Sequence, residues 1–284
     1  MKTVLVLTDF SSNANHAAET AVFLAGKLNL NVLLFNIYFS VPGVPAGEND
    51  AWSKTYEVFK KESEDNLQKE VERLSNKITP GLPKPVIQYL TAFGHLGTKV
   101  NSLISDNNNN NIDFIVMGAR KKLQSFKLFG DDINDVVKNS DKPVLIVNES
   151  LNFKEIKNIV FTTDVADSDL QALAFLNKLS NSFNFKVHAT YVSPVSEFTD
   201  LEEEQKVSHY LEGINQIGSP NISFENLKGE DVINELVKFN TSIAADLLAI
   251  VHKNRSFLWR LFHESVSKEF TKDSTISILI IPEQ

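Results

Sequence analysis

DFIVMGARKKLQSFKLFGDDIND, Asp113–Asp135, lies without a gap over DLLAIVHKNRSFLWRLFHESVSK, Asp246–Lys268, later in the same chain. Each opens on an aspartate and an apolar run, and each passes through a basic, aromatic stretch into an acidic segment. Lys127-Leu128-Phe129 falls on Arg260-Leu261-Phe262, and Gly130 falls on His263. A strand, a loop and the start of a helix are therefore written twice, which is the sequence sign of a repeated unit.

Working outward, the repeat extends in both directions. Lys2–Tyr38 (KTVLVLTDFSSNANHAAETAVFLAGKLNLNVLLFNIY) has its counterpart in Lys157–Val192, with Asp9 matched to Asp164. KPVLIVNE, Lys142–Glu149, answers ISILIIPE, Ile276–Glu283. Two domains are expected, 1–149 and 150–284, joined in the segment NESLNFKE. Within the first, the pattern predicts strands at about 2–8, 31–38, 86–92, 112–118 and 143–148, with helices at about 12–28, 51–77, 95–107 and 131–139. The second repeats the scheme, with strands near 157–163, 186–193, 221–227, 246–251 and 276–281 and four helices between them. Strands apolar on both faces, such as DFIVM and PVLIV, belong in sheets covered on both sides. Strand and helix in alternation require right-handed crossovers and a parallel, doubly wound sheet. In such a sheet a ligand sits beyond the carboxyl ends of the strands, at the switch point.

Composition bounds the function. The chain has 284 residues, 42% hydrophobic and 23% charged, enough apolar mass for packed cores. A formal net charge of −8 argues against a nucleic-acid partner, because phosphate neutralisation needs a basic surface. Without cysteine, disulfides, thiolate metal sites and thiol catalysis are excluded. The opening MKTVLVLTDFSSNA turns polar too early for a secretory signal, and no run reaches the roughly 18 apolar residues of a membrane helix. A cytoplasmic location with no membrane contact is expected. The six histidines show no HExxH and no i, i+4 pair, and no serine stands in a G-x-S-x-G elbow. No catalytic residue and no metal site is expected.

The opening VLTDFS, the five-strand pattern, TAFGHLGTKVNSLI after the third strand, and DFIVMGAR…GDDINDVVKNSDKPVLIV together resemble the universal stress protein family in its tandem form. The resemblance covers nearly the whole chain. It implies two five-stranded α/β domains of the adenine nucleotide alpha hydrolase-like fold, arranged as a pseudo-twofold pair. It also implies pairing of the domains through their last strands, PVLIV and SILII, with a homodimer of chains as a further option. Apolar edge strands left bare are an aggregation hazard, which favours such pairing.

Some members of that family bind ATP and others are regulatory without it. Carried over, the resemblance places Asp9 beside adenosine and gives Gly118 as the first glycine of the phosphate loop. The second glycine of the family's G-x2-G-x9-G-[S/T] loop falls on Lys121. The third falls on Gly130 only if the spacing shortens by one, and the Ser/Thr becomes Asp131. The second repeat has Val251, Asn254, His263 and Glu264 at the matched positions. A lost glycine costs close approach of backbone amides to phosphate. Asp131, read as the N-cap of the fourth helix, would accept those amide hydrogen bonds itself and act as a built-in anion. Arg120, Lys121, Lys122 and Lys127 either clamp phosphate or balance Asp131 and Asp132 in solvent. SFKLF and SFLWRLF, at 125–129 and 256–262, read as a hydrophobic plug in each domain or as a partner-binding patch.

The expected function is a non-enzymatic stress-response regulatory or ligand-sensing module with weak or absent ATP binding and an unidentified protein partner. The alternatives are an ATP or AMP sensor using the first domain, and an enzyme of the wider nucleotide-binding α/β group. Neither HIGH nor SGGxDS occurs, which removes the adenylyl-transfer versions of the last.

Overall fold

A computed structural model describes residues 2–38, 50–106, 111–119, 131–195, 201–252 and 276–283, with backbone alone for 50–55 and 131. The described residues divide into two compact units, one running to Glu149 and the other beginning at Ser150.

In the first unit the strands are β1 (Thr3–Leu7), β2 (Asn31–Tyr38), β3 (Ile87–Phe93), β4 (Ile112–Gly118) and β5 (Val144–Val147). The helices are α1 (Ser12–Leu28), α2 (Asp50–Ser75), α3 (Leu96–Ser105) and α4 (Asp131–Lys138). Every strand pair is parallel, in the order β3-β2-β1-β4-β5. The chain winds outward from β1 through β2 to β3 and then returns to β4 on the other side. That reversal puts a switch point between β1 and β4.

The second unit holds β6 (Asn158–Thr162), β7 (Lys186–Ser193), β8 (Ile222–Lys228), β9 (Leu247–His252) and β10 (Ser277–Pro282), with α5 (Asp167–Phe183), α6 (Leu201–Ile217) and α7 (Val232–Ser242). Its strands are parallel in the same winding, β8-β7-β6-β9-β10. The alternating α/β fold read from the sequence is the fold observed. The expected fourth helix of this repeat and its plug, like SFKLF in the first, lie outside the described residues.

The sequence dictates the central strands simply. TVLVL and VLIV are buried at every position, as strands covered on both faces must be. α1 packs on β1, β2, β4 and β5, with alanines 17, 18, 21 and 25 fully buried along its inner side, so helix and sheet approach closely. Ser11 caps α1 by accepting from the Ala14 amide at 3.3 Å, and Asn29 ends it in the left-handed conformation at φ 53°.

The repeat is visible in backbone detail as well. Asn184 ends α5 with φ 60°, as Asn29 ends α1. After the first strand of each unit one residue is held at positive φ, Phe10 at 62° and Val165 at 55°. Neither is glycine, and a β-branched residue at such an angle is strained. The same bond holds both turns: Phe10 N–H donates to Thr8 Oγ1 at 3.0 Å, and Val165 N–H to Thr163 Oγ1 at 2.9 Å.

Candidate functional site

At the carboxyl end of the first sheet lies a pocket of about 200 Å³. The ends of β1, β2 and β4 form its floor, and the Gly94–Leu96 turn, Ala14 of α1 and two aspartates of α4 form its walls. It is smaller than the roughly 300–1,000 Å³ of pockets that enclose drug-sized ligands. Its polar floor is already engaged. Asn36 Nδ2 donates to the Thr8 carbonyl at 2.7 Å, and Asn36 Oδ1 accepts from Ser63 at 2.7 Å. Ser63 in turn lies 2.8 Å from the Thr91 hydroxyl. A buried amide with both ends occupied positions strands well but offers a ligand little.

Asp9 and Gly118 both line this pocket, from opposite sides of the switch point. Asp9 Oδ1 accepts from the Ser11 amide at 3.1 Å, so it shapes the turn into α1 while Ser11 caps the helix. Gly118 has a packing reason to be glycine. A Cβ there would stand 2.6 Å from the Ala14 backbone nitrogen and 2.7 Å from the Asn13 carbonyl oxygen. The start of α1 presses directly on the end of β4, and Asn13 reinforces the contact by donating to the Ala119 carbonyl. Lys121 and Gly130, with the basic loop around them, lie outside the described residues. Asp131 opens the described part of α4, and its side chain is outside the described residues.

Two residues that the sequence reading did not assign to the site stand there: Asp132 and Asp135. They are three positions apart on α4, hence on one face, and GDDIND carried that signal. Asp135 does more than line the wall. Its Oδ2 accepts from the Gly97 amide at 2.7 Å, in the first turn of α3, and its Oδ1 accepts from Asn139 Nδ2 at 3.0 Å. His95 occupies the cap position of α3 and makes no side-chain cap bond, so the carboxylate that satisfies this helix end comes from α4. Gly97 makes room for it: a Cβ there would meet Asp135 Cγ and Oδ1 at 2.5 Å.

The matching positions of the second unit carry larger side chains. Val251 stands where the first unit has Gly118, and Asp169 where it has Ala14. Asp169 is 1% exposed, and its Oδ2 accepts from the Thr163 hydroxyl at 2.7 Å and the Asp164 amide at 3.3 Å. Tyr210 of α6, wholly buried, packs on Phe224 with ring centroids 6.0 Å apart. Burial pushes its phenol well above the usual tyrosine range, and the neighbouring charges of Asp169 and Asp164 push it further. Among the described residues of the chain, no group of three histidines or carboxylates is placed to hold a metal ion. No described helix is long and apolar enough to cross a membrane.

Comparison with known proteins adds to this geometry. The model of a family described as the universal stress protein family matches residues 1–148. The universal stress protein MJ0531 of Methanocaldococcus jannaschii is 27% identical over 139 residues, covering 44% of this chain and 81% of that protein. Among solved structures, a universal stress protein from Archaeoglobus fulgidus superposes with TM-score 0.71 at 15% identity, over 99% of this chain and 96% of its own. The functionally unknown protein PA1789 of Pseudomonas aeruginosa gives TM-score 0.58 at 12% identity, over 99% and 92%. Both of these likenesses concern the fold.

Proposed function

Because the chain belongs to the universal stress protein family, a family with regulatory and stress-response roles, we propose that it is a non-enzymatic cytoplasmic sensing module with weak or absent ATP binding. The observation that carries this reading is the charge of the first pocket. Asp9, Asp132 and Asp135 surround it, and Asp135 already sits on a helix end that would otherwise receive an anion. ATP does not fit such a site. A phosphate oxygen about 4 Å from a carboxylate meets repulsion of about 4 kcal/mol at an effective dielectric of 20. That is roughly a thousandfold in affinity. In the second unit the buried Asp169 adds a further carboxylate beside the end of the first strand.

Calorimetric titration of the whole chain with ATP and magnesium tests the proposal. No saturable heat below millimolar nucleotide is expected, and a micromolar dissociation constant would overturn it. That outcome would favour the second reading, an ATP or AMP sensor in the first unit, for which the basic residues Arg120, Lys121, Lys122 and Lys127 speak.

A further inference from the structure

We propose that Asp135 determines which ligands the first pocket accepts, by occupying the amino end of α3 as an internal anion. The inference rests on reading that pocket as the ligand site. The two repeats differ at this helix in an informative way. In the second unit α7 caps itself: Asp231, just ahead of it, accepts from the Ile233 and Asn234 amides at 3.1 and 3.2 Å. In the first unit His95 holds the equivalent place without a side-chain bond, and the carboxylate is supplied by another helix, across 38 positions of sequence.

The first amides of a helix have no partners within it and attract negative charge. A borrowed cap therefore does two things that a local one does not. It ties α3 to α4, the two being already in contact, and it brings a full charge to the wall of the pocket. The arrangement is built in from three sides, since Gly97 gives space, its amide gives a donor and Asn139 holds the second oxygen. A phosphate-bearing ligand must displace this carboxylate or sit beside it. An uncharged ligand meets no such repulsion. The pocket thus discriminates by charge, and Asp135 is the specificity-determining residue.

The test compares ATP–magnesium binding to wild type, Asp135→Asn and Asp141→Asn, all as the full chain. Asparagine keeps the size and one acceptor of Asp135 and removes its charge. Asp141 is an exposed residue of the turn before β5, and its replacement removes the same net charge away from the pocket. Asp135→Asn is expected to bind ATP about tenfold more tightly or better, from the loss of one nearby charge. Asp141→Asn is expected to match wild type. A folded Asp135→Asn that binds no more tightly than wild type overturns the proposal, and so does an equal gain in both variants.

Should Asp135→Asn fail to fold, Gly97→Ala serves in its place. Its methyl group displaces the Asp135 carboxyl group and the Asn139 amide, both side-chain ends, and meets no backbone among its nearest atoms. A gain in ATP affinity supports the inference and no gain overturns it. Micromolar binding by wild type would count against the functional reading of the pocket, whereas the ratio of variant to wild type judges Asp135 alone.

Discussion

Gly118→Val lowers the stability of the first unit by about 3 kcal/mol, the upper end of the range for forcing atoms into a packed interior. The reason is the absence of any soft neighbour. The nearest atoms to a new Cβ are the Ala14 nitrogen and the Asn13 carbonyl carbon and oxygen, all within 2.7 Å and all backbone. Relief requires α1 to move off β4, and α1 packs on four of the five strands. Urea unfolding followed by amide exchange in α1 and β4 reads the effect, and a midpoint equal to wild type would contradict it. Loss of nucleotide binding in this variant therefore reports damage to the fold and says nothing of phosphate contacts. That is why the binding tests above rest on Asp135.

Tyr210→Ala costs the second unit about 3–5 kcal/mol, the usual range for deleting a large buried aromatic. Tyr210 has no exposed surface, and its ring is held against Phe224 beside the Thr163–Asp169 corner. Tyr210→Phe keeps the ring and is expected to cost far less, which separates packing from the hydroxyl. The raised phenol pKa means the ring is neutral throughout the physiological range, so the difference between the two variants should not vary there with pH. Denaturant midpoints for the two variants check this, and a Tyr210→Ala protein as stable as wild type would show that the corner is not filled in the way described.

The central strands were legible because their burial is uniform. VLVL, VLIV and ILII are continuous apolar runs between polar punctuation, and the observed elements begin and end within a residue or two of the expected ones. Asp9 and Gly118 reach the pocket because strand ends at a switch point must converge there.

What was not legible depended on contacts between distant segments. Gly118 reads from its motif as a phosphate glycine, yet its backbone is pressed by a helix that begins more than a hundred positions earlier. The built-in anion was assigned to Asp131 on the helix that follows it. Asp135 of that same helix instead reaches another one, accepting from the Gly97 amide of α3, and no local pattern reveals which helix end a side chain will reach. Tyr210 carries no motif at all; only the packing of α6 brings it to the corner.

The claim on which the rest depends is that the protein's own carboxylates keep phosphate out of the first pocket. Amide resonances of Gly94, Gly97 and Gly118, at the rim, the capped helix and the floor, report on it directly in the wild-type chain. Through a titration with ATP and magnesium into the millimolar range, all three are expected to stay in place. A saturable shift of the Gly97 amide at micromolar ATP, signalling release of Asp135 from the end of α3, would contradict the account.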